Sequence, residues 1–200
     1  MRTSFGVTYD YRCPFARNAH EYIVAALRAG ADWDVNFVPF SLSRIHDEEG
    51  DIPVWEDARR APDLLALEAS VVVAELYPQQ FLEVHEALFA ARHDHARDIR
   101  DQAVVLDVLD SAGLDGATVL AQVAEGSAHF EVQKRHESAA SEHQVFGVPT
   151  FITGQHAAFV RLMGRPKGDG ELARRTIERL LDLIDGHPDV NELKHTTVPN

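Results

Sequence analysis

One cysteine, Cys13, stands in a chain of 200 residues. It constrains the fold more than any other residue, because no intramolecular disulfide can form and no zinc site can be built on thiolates. The chain must hold itself together by burying apolar surface. Its 45% of hydrophobic residues suffices for one compact domain, or a small domain carrying an insertion, and argues against wholesale disorder. No apolar run approaches the roughly 20 residues of a membrane span. The first fifteen residues enter a strand-like pattern and lack the long apolar stretch and cleavage site of a secretory signal, which predicts a cytoplasmic protein. The net charge of −13 repels phosphate backbones and anionic membrane surfaces, so neither nucleic acid nor membrane is expected as a partner.

Hydrophobic spacing divides the chain into three stretches. Thr3 to Thr8, carrying Phe5 and Val7, reads as a strand. Pro14 marks a helix start with Cys13 as its cap, because the N–H that proline lacks would go unpaired there anyway. That helix runs through Tyr22, Ile23, Ala26 and Leu27 and stops near Gly30; Val35 to Phe40 form a second strand. About a hundred residues of helical spacing follow, in five runs around Leu65–Leu76, Phe81–Phe89, Val104–Leu109, Leu120–Ala124 and Ser127–Val145. The pattern then returns to strands at Thr150–Ile152 and Phe159–Leu162, with a turn at Gly154. Asp169 caps a last amphipathic helix carrying Ala173, Ile177, Leu180, Leu181 and Ile184, and a polar tail with Pro188 and Pro199 closes the chain. The expected organisation is α/β, with a βαβ half over 1–42, an all-helical insertion over 43–144, a ββα half over 145–186 and a tail over 187–200.

A cysteine at a helix N-terminus faces converging backbone N–H groups and the positive end of the helix dipole, which favour thiolate over thiol. Arg12 and Arg17 lie close enough in sequence to add to that effect. Such a sulfur is a nucleophile near neutral pH; the alternative is an inert buried cysteine. Asp10 reads either as a buried carboxylate able to pass a proton to Cys13 or as a simple turn residue. Tyr9 and Tyr11 either line a ligand groove or pack in the sheet. Far along the chain, Val148-Pro149-Thr150 precedes a strand.

Asp10 through Ala16 resembles the active-site turn of the DsbA-like thioredoxin superfamily, and Gly147 to Phe151 resembles that family's cis-proline loop. Val38-Pro39-Phe40-Ser41-Leu42 resembles its second strand, and the helical run falls where the family carries its insertion. The tail from Pro188 to Thr197, with Glu192-Leu193-Lys194, is similar to that of the actinobacterial mycothiol-dependent nitroreductase group. The resemblance implies a thioredoxin-like fold with a large helical insertion, a cis Val148–Pro149 bond, and Cys13 as the catalytic residue. Pro14, Phe15, Asp10 and Arg12 would support it. Val148, Pro149, Thr150 and Tyr11 would bind the thiol or substrate, the Val148 backbone groups turned outward to pair with an extended ligand. The co-substrate would be a low-molecular-weight thiol such as mycothiol, the substrate a disulfide or small electrophile, and no metal would take part. Ala16 stands where the family carries its resolving cysteine, which leaves a monothiol cycle through a mixed disulfide. Phe15 stands where the family often has tryptophan. Two rivals share the architecture: a kappa-class glutathione transferase or hydroxychromene-carboxylate isomerase-like enzyme, usually with serine in the Cys13 place, and a non-redox binding module. The cleft beside the insertion would select the substrate, and exposed faces of the insertion would suit a homodimer.

Other titratable groups are expected to be structural. His129, His136 and His143 recur every seven residues and read as a solvated helix face. Steps of about 10 Å along the axis are too long for shared metal ligation. His93 and His95, near a helix end, could chelate only weakly. His20 lies two turns down the helix that Cys13 caps and reads as a packing residue.

Overall fold

The structure is a computed structural model and describes residues 2–197, so Pro199 of the tail lies outside the described residues. Strand β1 (Thr3–Tyr9) leads through the Cys13 turn into helix α1 (Pro14–Arg28) and strand β2 (Trp33–Pro39). Helices α2 (Leu42–Ile45), α3 (Leu65–Leu76), α4 (Phe81–His93), α5 (Gln102–Ser111), α6 (Gly116–Ala124) and α7 (Ser127–His143) follow. Strands β3 (Thr150–Thr153) and β4 (His156–Phe159) and helix α8 (Gly170–Gly186) complete the chain. The sheet order is β2-β1-β3-β4. β1 runs parallel to β2 and antiparallel to β3, and β3 pairs antiparallel with β4.

Local chemistry accounts for the boundaries. Pro14 sits at the first position of α1, with Cys13 as its cap in extended conformation. Asp169 caps α8, its carboxylate accepting from Leu172 N–H at 2.9 Å. The predicted partner strand at Phe159–Leu162 is corrected to His156–Phe159. Gly154 adopts φ 55°, and the tight turn it permits pairs Thr153 directly with His156. The strand therefore ends before Arg161 and leaves that residue free to lie over neighbouring rings. Gly126, not Ser127, is the cap of α7.

Two cores flank the sheet. Phe5, Val7, Ile23, Phe151, Ile177 and Leu181 join one sheet face to the α1–α8 pair. These helices approach so closely that a side-chain carbon on Gly170 would stand 2.4 Å from Ala29 Cβ. The second core gathers α3 to α7 around Tyr9, Tyr11, Val38 and Phe40, and Cys13 belongs to it. The helical stretch therefore packs directly against the turn that carries the sulfur.

Candidate active site

Cys13 and the 148–150 loop meet across 135 residues of chain: the thiol donates to the Val148 carbonyl at 3.3 Å. The Val148–Pro149 bond is cis. On its other side the sulfur accepts the Ala16 N–H at 3.4 Å. Cys13 is only 7% exposed. Burial pushes its pKa up; backbone N–H donation from Ala16 and Phe15 opposes that by less, and the Asp10 charge adds to the rise. Against the expectation of an ionised sulfur, burial works toward the thiol form. The helix mouth does supply its donor, but the surrounding apolar contacts cost the charge more than the donor returns.

The loop is locked to β1. Thr150 N–H donates to Thr8 Oγ1 at 2.8 Å, and the Thr8 and Thr150 hydroxyls both donate to the Gly147 carbonyl, at 3.3 and 2.8 Å. Thr150, expected to bind ligand, spends its hydroxyl within the loop, and Val160 N–H takes up the Pro149 carbonyl at 3.1 Å. The Val148 carbonyl, expected to await a ligand, holds the Cys13 proton instead.

Asp10 is buried, and both its oxygens are committed. Oδ1 accepts from Arg12 N–H at 2.9 Å and Arg12 Nε at 3.2 Å; Oδ2 accepts from Arg12 Nη2 at 2.9 Å and Leu42 N–H at 2.8 Å. Arg12 Nη1 donates to Ser43 Oγ at 2.8 Å, and Ser43 passes its proton-side bond to Asp63 at 2.7 Å. Among the described residues no hydrogen bond joins Asp10 to the sulfur, so the proton-relay role is corrected to an anchoring one. Arg12 belongs to this network and Arg17 pairs with Asp94, so neither cation serves the sulfur.

Tyr11 is corrected from a ligand-binding to a buried residue. Its hydroxyl lies 2.8 Å from His85 Nδ1, His85 Nε2 lies 2.8 Å from His20 Nδ1, and His20 Nε2 lies 3.1 Å from the Thr8 carbonyl. A carbonyl can only accept, so His20 carries its proton on Nε2, His85 on Nε2, and Tyr11 donates. Burial pushes His20 down to about 4 and holds His85 well below the usual imidazole range, keeping both rings neutral. His93 Nε2 donates to the Tyr11 carbonyl at 2.9 Å, which fastens the end of α4 to the turn.

The sequence profile of the DSBA-like thioredoxin domain matches residues 7–167. The chain belongs to that family. No curated protein sequence matches it. Among solved structures, the cytosolic disulfide reductase DsbM from Pseudomonas aeruginosa, with GSH, superposes with a TM-score of 0.62 at 13% identity, covering 90% of this chain and 100% of that one. A periplasmic thioredoxin-like protein from Salmonella enterica serovar Typhimurium gives 0.61 at 16% identity, with 90% and 84% covered. BdbD from Bacillus subtilis, oxidised, gives 0.59 at 18% identity, with 90% and 87% covered. At such identities the likeness establishes the DsbA-like fold, with its mixed sheet and helical insertion.

Within this DsbA-like frame the Cys13 turn and the cis-proline loop carry several aromatic rings at their surface. A concavity of about 530 Å³ runs along the outer edge of β2 between Trp33, Phe37, Val71 and Phe81, and Cys13 does not line it. Between α1 and α4 remains only about 120 Å³, ringed by the ion-paired Arg17, Glu21, Asp94 and Arg165. The larger of these two therefore lies where the sheet edge meets the insertion, between β2 and α3. Around the loop instead lie half-buried Phe15 and exposed Phe146 and Phe159, the last two with ring centroids 5.4 Å apart. Phe146, Phe159 and Arg161 carry no local sequence signal that marks them as neighbours of the 147–150 loop. The alternating apolar spacing of α1, which places His20 on its buried stripe, was the one available sign of the histidine network.

The seven-residue histidine stripe is not a solvated face. His136 is buried, stacks on Phe40 at 3.9 Å and accepts the Ser41 N–H at 3.1 Å; burial takes it down to about 4. His129 lies 2.7 Å from Glu68 and donates to the Trp55 carbonyl. Among the described residues no cluster of three or more His, Cys, Asp or Glu is arranged to hold a metal ion, and no helix is long and apolar enough to cross a membrane.

Proposed function

We propose that this protein is a cytoplasmic monothiol oxidoreductase. Cys13 exchanges with a low-molecular-weight thiol, mycothiol or a similar one, to reduce a disulfide or small electrophile. The Cys13 sulfur attacks one sulfur of a disulfide, forming a mixed disulfide and releasing the other half as a thiol. A second small thiol then attacks the mixed disulfide, leaves as part of a new disulfide and restores Cys13. With Ala16 in place of a second cysteine, the second step needs an external thiol. The observation that carries the reading is the 3.3 Å contact between Cys13 and the carbonyl of Val148, which precedes Pro149. Once the sulfur is in a disulfide it has no proton to donate, and the Val148 carbonyl becomes available to a partner's N–H.

The test is mass spectrometry of the protein after incubation with mycothiol disulfide, with a thiol-dependent reduction assay alongside. The expected result is one adduct on Cys13 and a fall to uncatalysed background in Cys13→Ser. Undiminished reduction in that variant would overturn the proposal. A non-redox binding module is favoured by one observation, the burial that raises the Cys13 pKa. It predicts non-covalent retention of the thiol and no adduct. Non-covalent retention with turnover would instead mark the transferase or isomerase rival. In all cases iodoacetamide should label Cys13 more slowly at pH 7 than it labels a free cysteine, with the rate rising into the alkaline range.

A further inference from the structure

We infer that Arg161 forms an anion-recognition point beside the sulfur, so that the molecule Cys13 exchanges with carries a carboxylate. This rests on the exchange reaction proposed above and narrows its partner. The Arg161 guanidinium lies over two rings, 5.5 Å from the Phe15 centroid and 5.7 Å from the Phe159 centroid. Phe15 follows Cys13 by two positions. Phe159 pairs with Thr150 in the β3–β4 ladder and borders Gly147, so both rings frame the place where a ligand would reach the sulfur. Two ring faces hold the charged group without neutralising it. Among the described residues Arg161 has no ion-pair partner within 4 Å, whereas Arg12, Arg17 and Arg165, the other arginines around this turn, are all paired. Glu192 of the tail, which feels the Arg161 charge, pairs with Lys194.

The net charge decides what this cation is for. A chain at −13 repels small anions over most of its surface. An exposed guanidinium with no ion-pair partner among the described residues, held over the ring two positions after Cys13, is what an anionic ligand needs there and what a neutral one does not. Its planar fork suits a carboxylate, to which it can donate two parallel hydrogen bonds. The inference therefore favours an acidic thiol over mycothiol, whose cysteinyl carboxyl is capped as an amide.

The test compares two probes that differ only in that group: the disulfide of N-acetylcysteine and the disulfide of its amide. Exchange consumes one probe disulfide, links one half to Cys13 and releases the other as thiol carrying the Cys13 proton. The ratio of adduct-formation rates, acid over amide, should fall about fivefold to tenfold in Arg161→Gln, the value of one partly exposed charge-assisted contact. Arg161→Lys should restore part of it, and added salt should shrink the ratio in the native protein only. An equal ratio in native and Arg161→Gln protein overturns the inference. If neither probe forms an adduct, the exchange reading itself has failed. The anion point is then judged by NMR titration with N-acetyl-S-methylcysteine and its amide. Binding that prefers the acid and loses that preference in Arg161→Gln sustains it, and equal binding of the two, or none, overturns it.

Discussion

Two polar networks leave the same turn in opposite directions. Asp10 and Arg12 enter a charged network, buried at Asp10 and Ser43 and reaching solvent at Arg12 and Asp63, with the start of α2. Tyr11, between them in sequence, enters a sealed, neutral one with His85 and His20. The turn is closed by the Cys13 N–H donating to the Asp10 carbonyl at 3.0 Å, and its three consecutive positions serve two environments. Where solvent reaches, full charges persist because Arg12 faces Asp10 directly; where it does not, imidazoles stay neutral and pair by orientation. Cys13 follows them, and its sulfur shares the fate of the sealed side.

Breaking the charged side should cost most. Asp10→Ala strips Arg12 of its main partner and Leu42 N–H of its acceptor, and should destabilise by about 3–4 kcal/mol in urea unfolding. A loss under about 1 kcal/mol would mean that Ser43 and Asp63 suffice for Arg12. His85→Leu orphans the Tyr11 hydroxyl and His20 Nδ1 together and should cost about 2–3 kcal/mol. Acid should separate the two networks. His20 is held down to about 4, while an unfolded histidine binds its proton near 6.5. The unfolded chain thus binds more protons between those values. Stability is complete above about pH 6.5 and falls as pH drops toward 4, by about 1–3 kcal/mol in all. Denaturation midpoints across that range should show the slope, and His85→Leu should flatten it; an unchanged slope would place the effect elsewhere. Tyr11→Phe should be mildest, about 1 kcal/mol, leaving one imidazole nitrogen unpaired. In a His85→Leu background that same change should become neutral, because the two residues share one bond.

Much of this architecture is written in local chemistry. The helix start at Cys13-Pro14, the Asp169 cap, the shift from strand to helical spacing and back, and the pairing of a Cys13 turn with a Val148-Pro149 loop were all legible from residue types and their order. Each depends on neighbours a few positions away, or on a short motif, and such signals survive in one dimension. The direction of the Cys13 pKa did not. It is a difference between donation at a helix mouth, which is local, and desolvation by side chains of α3 to α7, which is not. For the same reason Tyr11 could read as a groove residue until His85, far along the chain, supplied its acceptor, and His136 as solvated until Phe40 closed over it. Arg161 shows the converse case: only the tight turn at Gly154, by ending β4 early, set that cation over Phe15 and Phe159. Burial and charge pairing are properties of what surrounds a group in space, and the chain acquires those surroundings only on folding.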